Sequence, residues 1–363
     1  MLARLPDAPE GTKGISLFLV PKRLPDANGN AGVANLLRVL SIEHKLGIHA
    51  SPTCVMSYEG AEAELVGAPH QGLALMFTMM NAARLNVGME GVGIAERAYQ
   101  QARDYALERR QGRSAWSSET PARIFDLPDV RRMLMLMKAK TEAARTTCLS
   151  TAVAADLAER ASSPEQREAA KMREELLVPI AKAWCTDIGV EVASLGIQVH
   201  GGAGFIEETG AAQFYRDARI APIYEGTNGI QAIDLVGRKL FLAGSAPVRA
   251  LIAEMRATAA QIADTTTASG LGLGIEAVQR ATQWLFSKRN SPDALAGATT
   301  YLKLLGDVLG GWMLAKSALV NSHRAGLARF YGSQVLSSAS GLADAVCGGG
   351  DDLLAAASCL STD

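Results

Sequence analysis

Between Gln71 and Gly202 apolar residues recur at helical spacing over stretches far longer than an ordinary globular helix, which averages about three turns. That periodicity restricts the fold more than any other feature of the chain. Leu75, Met79, Ala83, Val87 and Gly91 fall four residues apart, and Ala95 and Ala98 continue the face. The pattern predicts a helix to about Arg110, broken by Gly112 and the Ser/Thr-rich run to Thr120. Gly88, Gly91 and Gly93 lie inside it, each costing roughly 1 kcal/mol of helix propensity. Their expected return is the close approach of another backbone. A second helix is expected from about Pro128 to Arg160, with proline in its first turn. A third starts at the capping box Ser163-Pro164-Glu165-Gln166. Pro179 should kink or split it. Beyond that point Ile180, Trp184, Ile188, Val192, Leu195 and Val199 form one stripe that stops at Gly201-Gly202. A fourth helix follows Asn228. Long antiparallel helices with short breaks make a helical bundle.

The flanks differ in character. Residues 14–21, GISLFLVP, read as a strand apolar enough to be covered on both faces. Short β-like runs follow at Val39–Ile42, Thr53–Tyr58 and Ala63–Val66, with a turn at Glu59-Gly60 and a polar loop containing Asn28-Gly29. After about Gly244 four further amphipathic helices are expected. The first carries Val248 to Ile262; the second carries Ile275, Val278 and Leu285. The third is capped by Ser291-Pro292 and carries Leu302 to Trp312. The fourth runs from Leu327 to Val346.

The 363 residues carry 36 basic and 37 acidic side chains, a balance that gives no electrostatic footprint for nucleic acid. Five cysteines without a CxxC pair suggest a reduced, cytoplasmic protein, with Cys148 and Cys185 as small core residues. No run is long enough to span a membrane. The first residues lack the apolar core of a signal peptide. His44 and His49 lack a nearby third ligand, so no metal site is expected.

One stretch, Gln198 to Lys239, concentrates the chemistry. It holds a glycine turn, the pair Arg216-Asp217, and Glu225 between Ile220–Tyr224 and a Gly-Thr-Asn-Gly turn. A carboxylate at such a loop–helix junction is a plausible buried base, since desolvation favours its protonated form. Thr227 or Asn228 is a credible N-cap, and the helix it opens offers N–H groups to an anion.

The run Tyr224-Glu225-Gly226-Thr227-Asn228-Gly229-Ile230-Gln231, preceded by Gln198-Val199-His200-Gly201-Gly202 and Tyr215-Arg216-Asp217-Ala218, resembles the C-terminal half of the acyl-CoA dehydrogenases. The likeness extends from about Gly11 to about Leu240. It is nearest the subgroup with an added C-terminal helical domain, which includes methylthiopropanoyl-CoA dehydrogenases. The resemblance implies a mainly α fold: a partial middle β domain over 1–67, the C-terminal helical bundle with the base over 68–243, and an additional helical domain over 244–363. Relatives begin with a helical domain and a first flavin segment, so against the family pattern the chain is expected to lack the N-terminal portion.

The implied activity is FAD-dependent formation of a double bond between C2 and C3 of an acyl-CoA thioester. Glu225 would remove the C2 proton while the flavin takes a hydride from C3. Gly226, Thr227 and Asn228 correspond to a flavin-contacting turn, with Gly226 also beside the substrate. Gln198, Val199, His200, Gly201 and Gly202 correspond to a second flavin segment, supplied in relatives across a dimer interface. Arg109, Arg110 and Gln111 correspond to the segment that meets the flavin diphosphate. Asn81 and Arg84 correspond to the segment facing the acyl-CoA. Two departures stand out. Gln111-Gly112-Arg113 replaces the usual Phe-Gly, and Leu127-Pro128 replaces a His-Gln near the cofactor. The implied partners are an acyl-CoA, an electron-transferring flavoprotein and further copies of the chain as a dimer or tetramer. A non-catalytic helical scaffold is the alternative, and a DNA-associated relative a more distant one that the charge balance disfavours.

Overall fold

In the computed structural model, which describes residues 1–360 with the side chain of Asn81 left out, two compact units divide the chain at Ala83/Arg84. The first is built of short antiparallel strands: β1 (Leu2–Arg4), β2 (Ile15–Leu19), β3 (Arg23–Pro25), β4 (Ala31–Ala34), β5 (Arg38–Ile42), β6 (Cys54–Ser57) and β7 (Glu64–Val66). They pair as β1-β2-β7, β3-β4 and β5-β6. The Asn28-Gly29 loop joins β3 to β4, where the Asp26 carboxylate accepts from the backbone N–H groups of Asn28 and Asn30. β2 is not covered on both faces as its composition suggested. Only Ser16 is buried in it and Leu19 is 61% exposed. Strands of three to five residues make too small a sheet to enclose an apolar central strand.

Long helices follow. These are α1 (Gly72–Glu108), within which the unit boundary falls, α2 (Pro128–Arg160) and α3 (Pro164–His200). α3 begins where its capping box predicts, with Ser163 Oγ accepting from Gln166 N at 3.1 Å. It runs through Pro179 without splitting. The flanking residues Leu176 to Ala183 are all buried, so the cost of the proline is offset by packing. α4 (Ala211–Ala218) and α5 (Asn228–Gly237) complete this part, with α4 and the 3-10 turns before it not foreseen from periodicity.

The C-terminal pattern holds in α6 (Ala246–Ala259) and α7 (Thr265–Ser287) but is more broken afterwards. The expected third helix is two, α8 (Pro292–Ala296) and α9 (Ala298–Val320), interrupted at Gly297. The expected fourth is α10 (Ala325–Gln334) and α11 (Ala339–Cys347), separated by a 3-10 turn at Leu336–Ser338. α12 (Asp351–Ala355) lies beyond them. α6 to α11 share one hydrophobic cluster with α2 and α3. At its centre Trp184 donates to Asp307 Oδ1 at 2.9 Å, and a Cβ on Gly306 or Gly310 would run into its ring.

The pair α1–α3 is set by glycine. A Cβ on Gly88 would stand 2.5 Å from Ala181 O, one on Gly91 2.5 Å from Cys185 O, and one on Gly189 2.9 Å from Gly91 Cα. The two backbones therefore touch where no side chain intervenes. Gly93 does not take part, since nothing lies within 4 Å of its Cβ position. Cys148 and Cys185 pack as buried thiols 3.5 Å apart.

This contrast gives a paired expectation in urea denaturation. Gly91→Ala should destabilise the fold by about 2 kcal/mol or more through overpacking. Gly93→Ala should stabilise it by about 0.5–1 kcal/mol through helix propensity.

Candidate active site

Glu225 sits in a turn that its own backbone cannot hold cheaply. Its φ is +59°, a left-handed conformation for a residue with a Cβ, and Gly226 follows at +87°. The turn closes with Asn228 N donating to Pro222 O at 2.9 Å. Thr227 is the N-cap of α5, its hydroxyl accepting from Ile230 N at 3.3 Å. The carboxylate oxygen Glu225 Oε2 is buried and has no hydrogen-bond partner among the described residues. Gln231 Oε1, also buried, shares that property, while Gln231 Nε2 lies 3.5 Å from Gly226 O.

Three attachments fix the turn. From α1, Arg84 Nε lies 3.4 Å from Glu225 O, and the Glu90 carboxylate accepts from the Tyr224 hydroxyl. Burial, and then that contact, push the Tyr224 phenol well above its ordinary range. From α3, the Asn228 side chain is gripped on both atoms. Lys182 Nζ donates to Oδ1 at 2.9 Å, while Nδ2 meets Ala183 O at 3.0 Å, Thr186 Oγ1 at 3.0 Å and Asp187 Oδ1 at 2.8 Å.

Lys182 was not singled out by motif reasoning. Its signal was a lone lysine in the apolar run Val178-Pro179-Ile180-Ala181-Lys182-Ala183-Trp184. It is fully buried, and desolvation pushes its ammonium down to about 8, against the attraction of Asp187 and Glu225.

The remaining candidate residues lie elsewhere. His200 is eighteen residues beyond Lys182 along α3, about 27 Å at 1.5 Å per residue. Its ring is buried, stacked on Tyr105 at 4.5 Å, with Nδ1 2.7 Å from Gly196 O. Val199 is buried as well, whereas Gln198, Gly201 and Gly202 are exposed. Gly201 has φ +59° and ends α3, and neither glycine has an atom within 4 Å of its Cβ position. Phe205 beside them is 86% exposed. Arg109, Arg110 and Gln111 leave the C-terminal end of α1 exposed. Arg110 is paired with Glu119 at 2.6 Å, and Gln111 N donates to Ala122 O at 2.9 Å.

Asn81 and Arg84 share α1, with the Asn81 side chain outside the described ones. Arg84 thus lies with the Glu225–Asn228 turn, while Tyr105, four residues before Arg109 on α1, meets His200 at the end of α3, so the candidates fall into two groups. Arg216 meets Glu207 at 2.6 Å.

A fold of long helices with a Tyr-Glu-Gly-Thr-Asn turn ahead of α5 defines a class, and the comparisons agree. The chain belongs to the acyl-CoA dehydrogenase family. Residues 70–241 match the family described as acyl-CoA dehydrogenase, C-terminal domain, and residues 251–357 match acetyl-CoA dehydrogenase C-terminal like. Among relatives, 3-methylmercaptopropionyl-CoA dehydrogenase of Ruegeria pomeroyi is 48% identical over 336 residues, 88% of this chain and 55% of that protein. A butyryl-CoA dehydrogenase of Syntrophomonas wolfei is 37% identical over 264 residues, 70% of this chain and 43% of that one. The crystal structure of Caenorhabditis elegans ACDH-11 matches with a TM-score of 0.78 at 24% identity, covering 92% of this chain and 56% of that one, and so shares the fold. The chain spans about half the length of the curated relatives it matches. No described helix is long and apolar enough to cross a membrane.

The buried lysine gives a pH signature. Its folded value lies below the ordinary 10.5, so the unfolded chain holds this proton more tightly. The group therefore makes stability rise as pH climbs from about 8 to 10.5, with its penalty present in full below that window. Denaturation midpoints across this range should climb less in Lys182→Met than in the parent.

Proposed function

We propose that the protein is part or all of an FAD-dependent acyl-CoA dehydrogenase that removes the C2 proton of an acyl-CoA thioester with Glu225. The single observation that carries this reading is the buried, unpartnered Glu225 Oε2, held in a left-handed turn. A carboxylate oxygen withdrawn from water and left without a donor is costly unless a reacting group meets it. In this reading Oε2 accepts the C2 proton, and the Glu225 backbone N–H donates to the thioester oxygen as charge develops there. In this reading Gly226 lies beside substrate and cofactor; its φ of +87° and the 2.9 Å from its Cβ position to Gln231 Nε2 leave the turn no room for a side chain there. Arg84 would meet the acyl-CoA from α1.

FAD, when bound, supplies a hydride acceptor for C3. Thr227 and Asn228 would meet it at the base turn. Arg109, Arg110, Gln111 and the segment Gln198–Gly202 would hold its far side, the open backbone at Gly201 and Gly202 permitting close approach. The roughly 27 Å of α3 between Lys182, behind the Glu225 turn, and His200 supports a site shared by two chains, with the exposed Phe205 and Ile206 as apolar surface for the contact. A homodimer or tetramer is therefore proposed, with an electron-transferring flavoprotein reoxidising the cofactor in the cytoplasm. The 48% identity to a 3-methylmercaptopropionyl-CoA dehydrogenase supports a short thioether acyl-CoA as substrate.

The test is anaerobic titration of the flavin-loaded protein with 3-methylmercaptopropionyl-CoA and butyryl-CoA. Bleaching of the flavin's visible bands is expected, faster with the first. Glu225→Gln should keep its flavin and lose bleaching by about a thousandfold or more. Unimpaired bleaching in that variant would assign the base to another residue.

A further inference from the structure

Lys182 is the one described lysine with no exposed surface, and it stands directly behind the turn that carries Glu225. A buried ammonium is a poor choice for stability, since desolvation opposes its charge and an apolar replacement is often tolerated. Its geometry, however, does something an apolar side chain cannot. An ammonium only donates, so Asn228 must present Oδ1 to Lys182. Nδ2 is then turned toward Ala183 O and the Asp187 carboxylate, both of which only accept. The reversed amide would set donor against donor on one side and acceptor against acceptor on the other. Lys182 on the oxygen side, with Ala183 O and Asp187 on the nitrogen side, thereby holds Asn228 in one orientation, and the Asn228 backbone N–H closes the turn on Pro222 O.

That turn keeps a non-glycine residue at φ +59°, which persists only where its surroundings over-determine it. The charged groups facing Lys182 are Asp187 on its own helix, Arg84 on α1 and Glu225 on the turn. Arg84 reaches the backbone carbonyl of Glu225 from α1, and Lys182 attracts its carboxylate from α3.

We propose that Lys182 is a positioning residue for the base: acting through Asn228, it locks the Pro222–Asn228 turn so that Glu225 stays left-handed with Oε2 unpaired. The proposal rests on the reading of Glu225 as base for its catalytic consequence, but its structural core does not. Lys182 touches neither substrate nor cofactor in this account, and its effect is relayed by the Asn228 amide.

The test compares Lys182→Met, Asn228→Ala and the double variant with the parent protein by amide hydrogen exchange over residues 221–230 and over α2 as an internal control. Lys182→Met is expected to fold, since it removes a buried charge. Exchange in the turn should quicken about tenfold in either single variant, with no further gain in the double variant, while α2 is unchanged. In flavin-loaded protein, Lys182→Met should lower kcat about a hundredfold with KM within about twofold. Unchanged exchange at 221–230 in folded Lys182→Met overturns the proposal, as do fully additive effects in the double variant. Quickened exchange in a protein whose parent shows no dehydrogenase activity leaves the latch standing and removes the functional reading instead.

Discussion

The structure depends on the bare contact between α1 and α3. Gly88 and Gly91 on one helix meet the backbone at Ala181 and Cys185 on the other, and Gly189 returns the contact. Interiors pack at crystal density, so a single methyl at these points has nowhere to go. The contact also aligns the two helices that hold the Glu225 turn. Arg84 and Glu90 reach it from α1, and Lys182, Thr186 and Asp187 from α3. Separating the helices by the width of a side chain would loosen those attachments together.

What the packing provides, the turn consumes. Glu225 adopts a conformation that costs on the order of 1–2 kcal/mol for a residue with a Cβ, leaves a buried oxygen unpaired, and lies near a desolvated ammonium. None of these features stabilises the fold. Their concentration at one seven-residue turn, Pro222 to Asn228, is what a site prepared for proton transfer requires. Single features of this kind recur elsewhere, a left-handed Asn290 or an unpaired buried Thr147 hydroxyl, but at Glu225 they coincide on one residue.

The bundle was legible in the sequence because α1, α2 and α3 repeat an apolar face over eight or more turns, and because Ser163 and Gly201 mark both ends of α3. Four departures came from forces that periodicity does not report. Burial of its neighbours carried α3 through Pro179. Gly297 broke one predicted helix and the 3-10 turn at Leu336–Ser338 another. Gly93 looked like Gly88 and Gly91 but faces open space. At the candidate site, Glu225, Gly226, Thr227 and Asn228 could be picked out by motif, and Thr227 proved to be the cap. Lys182 could not, since a lysine in an apolar stripe reads as an interruption until the residue it meets is known. The separation of Gln198–Gly202 from Glu225 was equally invisible in one dimension, where the two are close.

That separation yields the most direct test of a site assembled from two chains. Glu225→Gln and Gly201→Val each spoil one cluster and leave the other whole. The two inactive variants would be unfolded together, refolded to allow hybrid pairs, and assayed with flavin and acyl-CoA. The account predicts that the mixture regains dehydrogenase activity that neither variant has alone, because one site of each hybrid receives an intact base turn and an intact glycine segment. A mixture that forms hybrid pairs, binds flavin and stays inactive would contradict it.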